Sequence, residues 1–166
     1  AYTYILDCTF KTQNADLFFK SFDKLMFLNY ESARAYNQAI QISTEIEKDY
    51  QKAVTFVEAA KKKYPTDKDI LMADIMIYFT YGDFDAALEK LMFYADLYPK
   101  DKKAIDLQYK IYYEVKKDPV LAIKMLEKAQ ELFPNDQEYV KKEVNIYIET
   151  EQMDAAEQKF RELIAL

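Results

Sequence analysis

The sequence predicts an all-α chain built from antiparallel helix pairs. Three observations carry this. Turn-forming residues are scarce, with one Gly and four Pro in 166 residues, and a β-rich fold would consume many more. Apolar residues recur at i, i+4 and i+7, which is one face of a helix. The pattern itself also repeats. Pro65, Pro99 and Pro134 stand at spacings of 34 and 35, each preceded by an aromatic residue and followed two residues later by Asp.

Four further columns keep the same interval. Ala53, Ala87 and Ala122 lie twelve residues before the prolines, and Ala156 continues the series. The others are Tyr36, Leu71, Ile105, Val140; then Ile40, Ile75, Tyr109, Val144; then Ser43, Tyr78, Tyr112, Tyr147. Residues 1–31 come first and are the least regular. Tyr2, Ile5, Leu6 and Phe10, then Phe18, Phe22 and Leu25, suggest a further helix pair, a divergent repeat or a cap. Phe18 or Phe19 would stand there in the alanine column. Four units follow, at 32–66, 67–100, 101–135 and 136–166, with no linker rich in Gly, Ser or Pro between them. The whole of 1–166 therefore reads as one continuous domain.

Each unit reads as two helices. In the second, Leu71, Ile75 and Tyr78 share a face of the first helix, and Ala87, Leu91 and Tyr94 share a face of the second. Between them stands Gly82, the one glycine. It can take the left-handed conformation that ends a helix, and Asp83 can cap the next. Pro99 then stops that helix from running on. In the third unit Asp118-Pro119 does similar work, with proline at the first helical position. A small side chain in the alanine column lets two helices approach closely where they cross. The first and third units hold one extra residue, which the spacing assigns to the inter-helix turn.

With these columns in place, the sequence resembles the tetratricopeptide-repeat family over about Ser32 to Leu166. The second unit, with Gly82-Asp83-Phe84-Asp85-Ala86-Ala87 and Pro99, is the best copy. No unit carries the family's Trp, and the family's first-helix glycine is replaced by Ile40, Ile75, Tyr109 and Val144. The resemblance implies a right-handed α-solenoid, a superhelix of nine or ten helices that binds peptides or partner helices in a concave groove lined by first helices.

Composition narrows the chemistry. The net charge is −6 and the pI about 4.9, opposite to the basic excess of most nucleic-acid binders. No run approaches 18 apolar residues, so no membrane span is expected. Histidine is absent, which removes Ser-His-Asp and Cys-His sites and most zinc sites. With one glycine there is no phosphate-cradling loop. Cys8 is the single cysteine, read as a buried structural residue. It forms no internal disulfide, fits a reducing compartment, and with no visible signal peptide slightly favours the cytoplasm. Acidic residues are read as solvated helix faces, Lys61-Lys62-Lys63 as cations at a helix C-terminus, and the tyrosines and methionines as core or groove lining. The expectation is a non-enzyme without cofactor or metal.

The functional expectation is a protein–protein interaction scaffold. Its alternatives are a regulatory or scaffold fragment of a larger multidomain protein, an enzyme included, and a helical-repeat nucleic-acid binder. In the register above, the groove-facing residues are Asn37 and Gln41, then Met72, Met76 and Phe79, then Lys110 and Tyr113, then Lys141 and Asn145. Some members of the family grip a C-terminal carboxylate with Lys, Asn and Arg. Asn37 and Gln41 stand where Lys and Asn would be, and Met72 and Met76 cannot hold a carboxylate, so that clamp is not expected. The last helix closes with Leu163, Ile164 and Leu166, and no polar capping helix follows in the sequence. This leads to two expectations: a chain cut from a longer repeat protein, or an end that packs on a partner or a second copy.

Overall fold

A computed structural model describes residues 2–165. Among them are ten α-helices, two π-helical turns and no strand. Contacts group the chain into two compact units, one up to Leu97 and the other from Tyr98.

The first unit holds α1 (Tyr2–Lys11), α2 (Ala15–Phe27), α3 (Ala33–Gln41), α4 (Tyr50–Lys63), α5 (Lys68–Thr80) and α6 (Phe84–Leu97). They pack as successive pairs, α1 with α2, α3 with α4 and α5 with α6. Each second helix also meets the next first helix, α2 on α3 and α4 on α5, and α3 touches α5 directly. The core of α1 to α5 includes Leu6, Phe18, Phe22, Tyr36, Ile40, Val57 and Ile77. Its centre is aromatic. Phe22 meets Tyr36 edge-on at 5.6 Å and Phe56 edge-on at 5.3 Å, both favoured quadrupole geometries. The second unit holds α7 (Lys102–Lys110), α8 (Pro119–Leu132), α9 (Gln137–Glu149) and α10 (Met153–Ala165). α7 pairs with α8, α9 with α10, and α8 packs on α9 around Ile105, Leu126, Tyr139 and Ile146.

The local signals act as the sequence suggests. Asp49, Asp67, Asp101, Asp118 and Asp136 cap α4, α5, α7, α8 and α9, and Ser32 caps α3. Each side-chain oxygen accepts from a backbone N–H that has no partner inside the helix. Gly82 sits at φ 81°, and the Asp83 carboxylate accepts from the Ala86 N–H at 3.1 Å. α6 fills the interval between them and Pro99. Ala53, Ala87 and Ala122 are fully buried.

Two details differ from the sequence reading, and the expected leading helix pair is present. The extra residue of the first and third units does not lengthen the turn. It is absorbed in the π-helical turns Ile42–Ile46 and Ile111–Val115 that close the first helices. There the Glu47 N–H donates to the Ile42 carbonyl at 3.0 Å and the Lys116 N–H to the Ile111 carbonyl at 2.9 Å. A widened helical turn keeps its hydrogen bonds, so the left-handed residue and cap that follow stay unchanged. Residues 1–31 contain that full pair. Gln13 is left-handed, Asn14 caps α2, and Phe18, not Phe19, takes the alanine position, fully buried. Second, Cys8 is only half-buried, because the outward side of α1 has no helix packed over it among the described residues.

Candidate interaction surfaces

The groove residues expected from the sequence divide between the two units. In the first, Asn37 and Gln41 lie on α3, and Met72, Met76 and Phe79 on α5, the helix packed against it. Asn37, Gln41, Met76 and Phe79 are half-buried. Met72 keeps only 8% of its surface exposed and so belongs mainly to packing. α5 also buries Ile70, Leu71, Ile75 and Ile77, so it is apolar around most of its circumference, as a helix with neighbours on several sides must be. Phe79 packs edge-on against Phe84 at 5.6 Å. Gln41 opens on a cavity of about 180 Å³ between the end of α1, at Phe10 and Lys11, and the π turn, at Ile42 and Glu45.

In the second unit Lys110, Lys141 and Asn145 are exposed and Tyr113 is half-buried. The Lys110 ammonium lies 3.9 Å from Glu114, and that of Lys141 2.7 Å from Glu138. Tyr113 is the most fixed of the four. Its ring stacks on Tyr109 at 5.6 Å and its hydroxyl donates to Glu149. That hydrogen bond, then burial, then the Glu149 charge push its pKa from 10.0 up to about 12. Tyr113 and Glu149 line a cavity of about 290 Å³ with Lys117, Pro119 and Thr150. Tyr139, buried in the core, is also pushed up to about 12, chiefly by desolvation.

A second surface was missed in the sequence. Asp74, on the side of α5 that faces the second helices, is buried. Its Oδ2 accepts from Lys61 of α4 and from Lys90 of α6, each at 2.9 Å. Burial draws the Lys61 ammonium down, but the hydrogen bonds and charges of Asp74 and Glu58 outweigh it, and its pKa is raised. These groups line a cavity of about 430 Å³ whose other walls include Pro65, Leu71 and Phe93. The second unit repeats the arrangement. Glu143 of α9 is fully buried and accepts from Gln130 of α8 at 2.6 Å, with Lys159 of α10 at 3.4 Å. Asp74 and Glu143 are therefore not on solvated faces. The signal was legible: Asp74, Gln108 and Glu143 each directly precede a member of the Ile75, Tyr109, Val144 column. They sit at the repeat interval on a packing side, where a polar residue needs a partner.

No helix among the described residues is long and apolar enough to cross a membrane. No group of three or more Cys, Asp or Glu among them is placed to hold a metal ion.

Among solved structures the chain is similar to yeast Tom70, at TM-score 0.70 and 23% identity over 99% of this chain and 35% of that one. It is also similar to MamA residues 41 to the end from Desulfovibrio magneticus RS-1, at TM-score 0.72 and 17% identity over 99% and 92%. Pseudomonas aeruginosa PilF gives TM-score 0.70 and 16% identity over 99% and 73%. The chain thus spans about a third of the Tom70 structure and most of the MamA one. No family model and no curated protein matches the sequence. At these identities the likeness fixes the fold, an all-α stack of helix pairs.

Proposed function

Given that this chain has the fold of the tetratricopeptide-repeat proteins, we propose that it is a non-catalytic scaffold that binds a peptide or partner helix along its first helices. One observation supports this most. Met76 and Phe79 keep apolar surface open on α5, and Asn37 and Gln41 are likewise half-buried on α3, the helix that touches it. Thioether and aromatic surface accommodates many apolar shapes, and amides can orient a bound backbone by hydrogen bonds. Lys110, Tyr113, Lys141 and Asn145 offer the second unit's share of polar contacts. A nucleic-acid partner is disfavoured by the net charge of −6. A second reading, a scaffold segment of a longer protein, draws on the 35% of the Tom70 structure that the chain spans.

The test is a peptide selected from a displayed library for binding to this chain. Met76→Glu places a charge on the proposed floor and should weaken binding at least about tenfold, about 1.4 kcal/mol. Helicity and melting temperature should remain near wild type, since Met76 is only half-buried. Unchanged affinity in a folded Met76→Glu variant contradicts the proposed surface.

A further inference from the structure

The buried carboxylate of α5 meets one ammonium more than its charge requires. Asp74 is 4% exposed, and its Oδ2 accepts from Lys61 of α4 and Lys90 of α6, each at 2.9 Å. The corresponding group of the second unit is balanced. There Glu143 meets one ammonium, that of Lys159, and the neutral amide of Gln130. In the repeat register Lys90 corresponds to Lys159, and Lys61 to Gln130. One repeat before Asp74 the three positions hold Ala39, Met26 and Phe56, and one repeat after it Gln108, Ala95 and Met125, all uncharged. The cation excess is therefore not a requirement of the fold. It belongs to the junction of α4, α5 and α6.

Two further carboxylates stand near. Glu58 accepts from Lys61 at 3.2 Å, and Glu89 lines the cavity beside Lys90. Both are exposed, so water and salt screen them, whereas the two lysines are half-buried. An ammonium has three donors. Among the contacts of the described residues, Lys61 gives one to Asp74 and one to Glu58, and Lys90 gives one to Asp74 while lying 4.6 Å from the centre of the Tyr78 ring. Each keeps a donor for a further acceptor.

The space for that acceptor is the cavity of about 430 Å³ that these lysines line, a size within the range of small-molecule sites. Its other walls include the apolar side chains of Pro65, Leu71 and Phe93. The outer face of α6 departs from the repeat here. Met92 and Phe93 are 63% and 53% exposed. The same two positions hold Asp23-Lys24 in α2, Glu58-Ala59 in α4, Glu127-Lys128 in α8 and Arg161-Glu162 in α10. Each of those pairs carries a charge, as a solvated helix face does. Exposed apolar surface and the excess ammonium thus occur at the same junction, and each is a departure from the other repeats.

We infer that this cavity binds a small apolar monocarboxylate. Its carboxylate bridges Lys61 and Lys90, so that two carboxylates face two ammoniums through charge-assisted hydrogen bonds. Its apolar body lies along Leu71 and Phe93. Asp74 positions the two lysines. The site is on the second-helix side of the first unit and uses no residue of the peptide surface proposed above.

Octanoate titrated into the full chain, by calorimetry and by NMR chemical-shift mapping, tests this. It should bind once per chain with a Kd below about 1 mM and shift the signals of Lys61, Lys90 and Phe93. Octanamide has the same body without the charge, and acetate the charge without the body. Each should bind at least about tenfold more weakly. Lys61→Gln recreates the balanced set around Glu143 and should lose at least about tenfold in octanoate affinity, with a melting temperature near wild type. Phe93→Ser, at an exposed position, should weaken octanoate and leave acetate unchanged. Absence of saturable octanoate binding overturns the inference. So does octanamide binding as tightly as octanoate, or shifts centred away from the three residues. Full octanoate affinity in a folded Lys61→Gln variant or in Phe93→Ser overturns it as well. A peptide ending in a leucine carboxylate that binds here where octanoate does not would contradict the free acid as ligand.

Discussion

Among the described residues six adopt the left-handed backbone conformation, and one of the six is glycine. Gln13, Lys48, Gly82, Lys117 and Glu151 follow one another at the repeat interval, each just before a capping position, and Asn29 is the sixth. A Cβ on Gly82 would have room, since the nearest atom beyond its chain neighbours, in the Phe84 ring, would be 4.0 Å away. Any penalty there is therefore conformational. Gly82→Ala should cost about 1 kcal/mol. Lys117→Gly should be neutral or stabilise by less than about 1 kcal/mol, because relief of the strain is offset by greater freedom of the unfolded chain. Equal losses from both changes in a denaturant series would contradict this. The glycine was readable in the sequence because only that residue type advertises the conformation. The four other members of its column were silent, and only position in the repeat reveals them. Tyr113 gives a pH prediction at the same scale. Its pKa is raised, so its contribution to stability is intact below pH 10 and is lost as the pH climbs toward about 12. Its ionisation in an NMR titration should fall well above pH 10. Glu149→Ala should return it toward the ordinary value of 10.0; a titration unmoved by that change would show that Glu149 is not the cause.

At the scale of elements, the helix faces were legible because one period runs through every unit. Columns such as Ile40, Ile75, Tyr109 and Val144 carry both the helical spacing and the repeat spacing, and agreement between levels is hard to produce by accident. The π turns were not legible. An insertion of one residue states that a unit is longer, not which part takes up the length. The buried carboxylates were missed for a different reason. Asp and Glu are polar by type, which suggests a solvated face; their place at the repeat interval beside the Ile75, Tyr109, Val144 column marks a packing side instead, where Lys61, Lys90 and Gln130 supply the partners. The alanine column remains the sharpest element-level test. Ala87 is fully buried at the α5–α6 pair, and Ala87→Leu should destabilise by about 1–3 kcal/mol through overpacking. Phe18 shows that this column accepts a large residue where the surrounding pair is built for it. An unchanged melting temperature would remove the helix-crossing role assigned to Ala87.

For the molecule as a whole, the central claim is that the first helices carry the binding surface. The sequence proposes that surface by register alone. Four of its nine residues, Met76, Phe79, Asn37 and Gln41, sit half-buried on two touching helices of the first unit, while Met72 is drawn into packing. The competing surface is the cavity on the second-helix side, where Lys61, Lys90 and Asp74 meet beside Phe93. The direct discriminator is an NMR cross-saturation footprint of a selected peptide on the isotope-labelled chain. Binding along the first helices should give attenuation at Asn37, Gln41, Met76 and Phe79, with Lys110, Tyr113, Lys141 and Asn145 as the second unit's contribution. Attenuation centred on Lys61, Lys90 and Phe93, with the first-helix residues untouched, would contradict it.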